Sequence, residues 1–195
     1  MTEKTIEIPA IELLRLQVTI HGETPLIVHR FGERARKLIE DKQQKRAALA
    51  KEARDPEAEF QDALYMTPDG RFGFPAAGVK KALVYAGGRF TEEKMTVLRG
   101  CVNVMDDLLT IEGSEPTMRS DTVRLSGGKV TSIAYRPQFW PWSIQVPVVY
   151  NATMLSEAQV LNLFQIAGFA IGIGDWRPER NGTFGQFSLG GVEAL

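Results

Sequence analysis

Cysteine is nearly absent from this chain: Cys101 stands alone among 195 residues. One thiol leaves no disulfide framework within the chain, so a packed core must hold the fold, and the length suffices for one. Histidine is almost as scarce. His21 and His29 share one extended stretch with Cys101 far away, and no zinc-ligand spacing exists. Neither a metal nor a cofactor is expected. No apolar run reaches transmembrane length and no secretory signal opens the chain, which predicts a soluble, intracellular protein with no membrane partner. A P-loop run is missing. Gly172-Ile173-Gly174 lacks the third glycine of a dinucleotide fingerprint and follows a helical pattern instead of opening one, so a Rossmann reading fails on context. Internal repeats are absent too. An excess of one charge sign is also lacking, since the formal net charge is −1.

The charge that is present is unevenly spread. Residues 30–54 sum to +5 and the remainder to −6. A basic segment on a neutral protein suits an anionic partner. That segment reads as a long polar helix from Gly32 to Ala53, rich in good helix formers and thin in apolar anchors (Ala35, Leu38, Ile39, Leu49). Such a helix projects from the body or waits for a neighbour. Arg34, Lys37 and Lys45 are its candidate phosphate contacts. Asp55-Pro56 stops it and starts a short helix to about Leu64.

Before it, Leu14, Leu16, Val18 and Ile20 alternate with polar residues, as in a half-buried strand. After it come a Pro68-Asp69-Gly70 turn, a strand over 71–74 and a helix from Ala76 to Tyr85 that Gly87-Gly88 should end. A short helix at Thr91–Val97 and strands at 102–105, 108–112, 122–125 and 132–135 are expected. Pro137, Pro141 and the aromatics between them suggest an irregular connection. Ser143–Tyr150 is a strand whose Pro147 suggests an edge or a bulge. Ser156 and Gln159 form a capping box, and Leu155 with Val160 a hydrophobic staple. The helix they open runs into a glycine-rich loop, and Thr183–Leu189 gives a last strand. This order predicts an α+β, ferredoxin-like or RRM-like antiparallel sheet with a helical insertion at about 32–64 and a C-terminal glycine-rich loop, all within 1–195 as one domain.

The loop holds Gly172, Gly174, Gly182 and Gly185 around Asp175, Trp176, Arg177 and Arg180. Glycine permits positive φ and close backbone approach, and backbone amides with guanidinium forks fit phosphate oxygens. Gly174 and Gly185 are expected in conformations that a side chain would strain, with the loop between them facing solvent. A helix cap and turn would use the same glycines. Asp175 reads as a turn cap or a partner of Arg177. Phe139, Trp140 and Trp142 suit either base stacking or packing under a loop.

Two separated motifs together resemble a known family. The pattern Gly172-Ile173-Gly174, Arg177, Gly182-x-Phe184-Gly185, set between a helix and a final strand, resembles the glycine-rich loop of the RAMP superfamily. Those repeat-associated proteins form the backbone of CRISPR effector complexes. The run Asp69-Gly70-Arg71-Phe72-Gly73-Phe74-Pro75-Ala76-Ala77-Gly78-Val79-Lys80-Lys81 resembles a second hallmark, a strand leading into a lysine-bearing helix that meets nucleic acid. Here Ala76-Ala77 stand where the family usually has serines, which removes a hydroxyl contact to phosphate. Thr24-Pro25-Leu26 fits the opening strand. The stretch Pro25–Arg30 together with 172–187 is also similar to small bacteriophage and prophage proteins. The likeness spans roughly 14–189.

The resemblance implies an RRM-like palm that holds single-stranded RNA or DNA by its sugar-phosphate backbone and assembles head to tail as a homo-oligomer or filament, in the cytoplasm of a bacterial host cell. Lys80, Lys81, Arg177 and Arg180 would meet phosphates, and Trp176 a base. Some members cleave RNA with an aspartate after the first strand. This chain has His29, Arg30 and Glu33 there, so a non-catalytic role is expected. Two alternatives are an endoribonuclease of the same superfamily using His29, and a protein-binding phage factor that mimics or blocks a CRISPR or host complex.

Overall fold

The computed structural model describes residues 8–45, 53–125 and 130–195. Its first half runs β1 (Leu13–Gly22), β2 (Leu26–Ile27), α1 (Glu33–Gln43), α2 (Pro56–Asp62), β3 (Gly73–Pro75), α3 (Ala76–Phe90) and α4 (Met95–Cys101). The second half runs β4 (Val102–Val104), β5 (Leu108–Gly113), β6 (Thr117–Leu125), β7 (Val130–Phe139), β8 (Trp142–Asn151), α5 (Glu157–Ile166) and β9 (Phe187–Ala194).

The alternating segments build the larger sheet. β1 buries Leu16, Val18 and Ile20, and the antiparallel register sets Val148, Val146 and Ile144 of β8 opposite them. One face is therefore a continuous apolar layer, as a period of two dictates. α3 and α5 cover it with Val79, Leu83, Val160 and Phe164, all fully buried. The strand order β3-β5-β8-β1-β9, with β4 also on β8, contains the β9-β1-β8-β5 path. With α3 crossing after β1 and α5 after β8, that path is the ferredoxin-like βαββαβ arrangement.

Two insertions meet beside this palm. β2 and the β6–β7 hairpin form a second sheet in the order β2-β7-β6, and α2 packs on β7. The hairpin corrects the expected short strands at 122–125 and 132–135. It also absorbs part of the expected irregular connection, because Pro137 and Phe139 lie in β7, paired with Met118 and Leu26. Pro137 lends its carbonyl to Val28 N–H at 3.1 Å, so its lack of a donor costs nothing there. Pro147 does not mark an edge strand: β8 is paired on both sides. Its carbonyl accepts from Met105 where β4 gives way to β5, so the ladder is already broken where a donor is missing.

α3 continues past Gly87-Gly88 to Phe90. A Cβ at Gly87 would lie 2.4 Å from Leu98 Cδ1, so this glycine serves close helix packing and not a cap. The next helix starts at Met95, not Thr91. The last strand starts at Phe187, because Thr183–Gln186 stay in the glycine loop. α1 buries no residue, and Leu38 and Ile39 are exposed, as its thin apolar stripe requires. The remainder of the expected helix, 46–52, lies outside the described residues.

The Ser156 capping box forms, with Ser156 Oγ accepting from Gln159 N–H at 3.3 Å and Gln159 Oε1 from Ser156 N–H at 2.8 Å. Ser156→Ala should lower stability by about 1 kcal/mol, read as a lower denaturation midpoint at unchanged m.

Candidate nucleic-acid interface

After α5 the chain widens into a π-helical turn, Ala167–Ile171, closed by Gly172 N–H donating to Ala167 carbonyl at 2.7 Å. Gly172 then takes φ +69° and turns the chain out of the helix. The loop that follows is wound against the rest of the protein. Asp175 N–H donates to Ile27 carbonyl, Gly185 N–H to Pro25 carbonyl and Ile173 N–H to Gly185 carbonyl, at 2.8–2.9 Å. Gly174 and Gly185 take φ +78° and +66° as expected. Their missing side chains matter sterically as well: a Cβ at Gly185 would sit 1.8 Å from Ile173 O, and one at Gly182 would sit 1.6 Å from Trp176 O.

Between Gly174 and Gly185 the loop faces solvent in part, with none of residues 175–184 buried, and its ends are held more deeply. Gly172, Ile173 and Gly185 are buried, 174–179 are half-buried, and Arg180, Asn181 and Thr183 are exposed. Most of its amides are spent on protein carbonyls. What this loop has left to offer an anion is therefore mainly its side chains.

Asp175 has closer partners than the expected Arg177, whose charge still acts on it. Its carboxylate lies 3.5 Å from His29 Nδ1 and 3.3 Å from Arg136 Nε. Burial pushes its carboxyl up, but the hydrogen bond from His29 and the charges of Arg136, His29 and Arg177 outweigh it, leaving it below the ordinary carboxylate range. Arg136, on β7, also lies over the Trp176 ring at 4.3 Å, and Arg119, on β6, over Phe184 at 4.8 Å. These contacts clamp the hairpin to the loop. Trp176 itself is half-buried with φ +49°. One of its faces carries Arg136, so a stacking role can use only the other. No pattern in the sequence pointed to Arg136, because a lone arginine in a strand has no signature.

Glu179 organises the other end of the loop. Only 5 % of its side chain is exposed, and it meets Arg89 at 3.0 Å, Arg177 at 2.8 Å and Arg180 at 3.1 Å. Burial again pushes the carboxyl up; the hydrogen bond from Arg89 and the three cationic charges bring it below its ordinary value. Arg177 gives its second fork to Gly174 carbonyl at 2.9 Å. It is mostly buried and works within the loop.

The two resemblance motifs come together in space. A cleft with a cavity of about 200 Å³ opens between the loop, Val28 and His29 just after β2, and α3. His29, Tyr65, Lys81, Tyr85, Asp175 and Arg177 are among its walls. Lys81 is exposed, whereas Lys80 bonds Asn103 Oδ1 at 2.9 Å and points toward β4. Lys80, Lys81, Tyr85 and Arg99 line a second groove along α3. Arg34, Lys37 and Lys45 lie apart, on or just after exposed α1. Among the described residues no group of His, Cys, Asp or Glu is placed to hold a metal ion, and no helix is long and apolar enough to cross a membrane.

Gly185→Ala should cost about 1–3 kcal/mol through positive φ and the Ile173 carbonyl, while Gly191→Ala, with nothing within 4 Å of its Cβ, should stay within about 0.5 kcal/mol of wild type; chemical denaturation of the pair checks both. The carboxyls of Asp175 and Glu179 have folded-state values below their ordinary ones. Their stabilisation is complete above the ordinary carboxylate range and is lost as pH falls through the folded-state values. Glu179→Gln should flatten the acid limb of a stability–pH profile and lower stability at neutral pH by about 1–3 kcal/mol.

No protein-family model matches the sequence, and neither does any curated protein. Among solved structures, a chain in the cryo-EM structure of the Type III-B Cmr-beta bound to cognate target RNA is similar, with a TM-score of 0.56 and 12 % identity. The match covers 94 % of this chain and 61 % of that one, so this protein spans less than two thirds of that neighbour's length. At that identity the likeness shows the fold alone and carries nothing about a phage origin.

Proposed function

We propose that this protein binds single-stranded RNA by its sugar-phosphate backbone, without cleaving it, across the cleft between the glycine loop and α3. One observation carries the reading. Two segments far apart in sequence, 69–83 and 172–187, meet at one cleft and put Lys81 and Arg177 on its walls. The neighbour's fold, seen with bound target RNA, supports RNA over DNA as the ligand. Lys81 and Arg180, exposed and near the loop, are the leading phosphate contacts. Lys80 adds charge along α3, Arg177 holds the loop in shape, and α1 with Arg34, Lys37 and Lys45 acts as a basic arm. We further propose a phage-type protein that assembles head to tail, with the uncovered face of α1 against the next subunit or the strand.

A second reading has one observation in its favour. The His29–Asp175 pair at the cleft is the arrangement of a general base with an orienting carboxylate, which suits a metal-independent ribonuclease.

Filter binding at several salt concentrations, with a gel of the recovered RNA, separates these readings. Lys81→Ala and Arg180→Ala should weaken binding equally across sequences and each lower the salt slope by about 0.7. His29→Ala should leave binding intact, and the RNA should stay whole. Product that disappears in His29→Ala selects the nuclease. Absence of binding to RNA and DNA at low salt rejects both and favours a protein-binding phage factor. Sedimentation should show larger assemblies when single strands are added, and a strict monomer in both conditions rejects the filament.

A further inference from the structure

We infer that Arg89 and Arg180, oriented by the buried Glu179 carboxylate, form a second phosphate-binding station beyond the cleft, which receives phosphodiesters of the same strand. The choice of ligand rests on the RNA-binding reading; the station itself follows from charge and geometry. Glu179 carries one negative charge and meets three guanidiniums. Among the described residues no other carboxylate forms an ion pair with Arg89 or Arg180, while the charge of Asp175 also reaches Arg177, so Arg89 and Arg180 share one carboxylate with Arg177 and keep a positive surplus. Each guanidinium has five N–H donors. Arg89 donates one of them to Glu179 through Nη2 at 3.0 Å, and Arg180 faces the same carboxylate as an ion pair, with Nε at 3.1 Å. Their side chains are 46 % and 64 % exposed, against 18 % for Arg177.

A cluster built only to stabilise the loop would balance its carboxylate with Arg177, which already bridges Glu179 and Gly174. Arg89 and Arg180 add charge that the fold does not neutralise. Holding them by one atom each restricts the side chain while leaving most donors outward. That lowers the ordering cost of meeting a phosphate. The station also continues a path. Lys81, Tyr85 and Arg89 follow one another at four-residue intervals on α3, about 6 Å apart along its axis. The Lys81 ammonium lies 5.3 Å and the Arg89 guanidinium 5.0 Å from the Tyr85 ring. Lys81 and Tyr85 line the cleft, so a strand leaving it along α3 meets Arg89 and then Arg180.

The test uses the full chain and an unstructured single-stranded RNA oligonucleotide, with binding titrated at several salt concentrations. Arg89→Gln and Arg180→Gln should each lower the salt slope by about 0.7, and the double variant by about 1.4, with melting temperatures close to wild type. Arg89→Lys should keep the wild-type slope. A wild-type slope in the double variant overturns the station, and with it the Arg180 contact proposed above; loss of slope in Lys81→Ala alone then keeps RNA binding at the cleft standing. Wild-type protein that does not bind overturns both. If the double variant fails to fold, Arg180→Gln alone decides, its side chain being the most exposed of the three. Glu179→Gln, assayed well below its melting temperature, tests orientation. Removing a negative charge should tighten binding by charge counting alone, whereas loss of orientation weakens it, and tighter binding overturns the orienting role.

Discussion

The site depends on backbone contacts that only glycine permits. Between Gly172 and Gly185 the chain folds back so closely that the carbonyls of Ile173 and Trp176 occupy the places of two absent Cβ atoms. That proximity lets the loop hydrogen-bond to Pro25 and Ile27, and so fixes it to the connection leaving β1. Without this attachment the cleft would lack a wall, because the loop with Val28 and His29 forms one side of it and α3 the other. The palm below supplies a rigid floor: β1 and β8 pair over nine residues each, with a continuous apolar face under both helices.

Charge is then set on this frame in two layers. The inner layer is neutralised. Asp175 holds Arg136 and the exposed His29, and Glu179 holds Arg177; apart from His29 these groups are half-buried or buried, where an unpaired charge would be costly. The outer layer, Lys81, Arg89 and Arg180, is exposed. Exposed cations contribute little to folding, so beyond the hydrogen bond of Arg89 to Glu179 their arrangement along one helix and one loop adds little to stability. A net charge of −1 is compatible with this, since association with a polyanion responds to the local field more than to the total.

Much of the palm was legible in the sequence. Strict alternation in 14–20 and 144–150 gave both central strands and their buried faces, and the Ser156 box gave the start of α5, because these signals are local. The second sheet was not legible in the same way. β7 contains Pro137 and sits beside Trp140-Pro141, and its register is set by Met118 and Leu26 from elsewhere in the chain; a proline can pair through its carbonyl alone, and composition does not reveal that. Gly87 misled for a related reason. A glycine late in a helix reads as a cap, but here Leu98 and Leu163 press against it. The site followed the same division. The glycine conformations at 174 and 185 were foreseeable from residue type. The partners of Asp175 and Glu179 were not, since Arg136 and Arg89 reach the loop from distant elements.

The contrast between the loop and α1 bears on how a long, repetitive ligand would be held. The loop is anchored on both sides, so its cations are positioned before any ligand arrives and little ordering cost is left. α1 has no buried residue and pairs charges within itself, Arg36 with Glu40 at 2.9 Å, so its stability draws little on the core. Such a helix sits at the low end of local stability, and a contact that covers Leu38 and Ile39 would be felt mainly there. On the proposed reading, a preset cleft with a loosely held basic arm would divide the work: the cleft would set the path of the strand, and the arm would adjust to whatever lies beyond it.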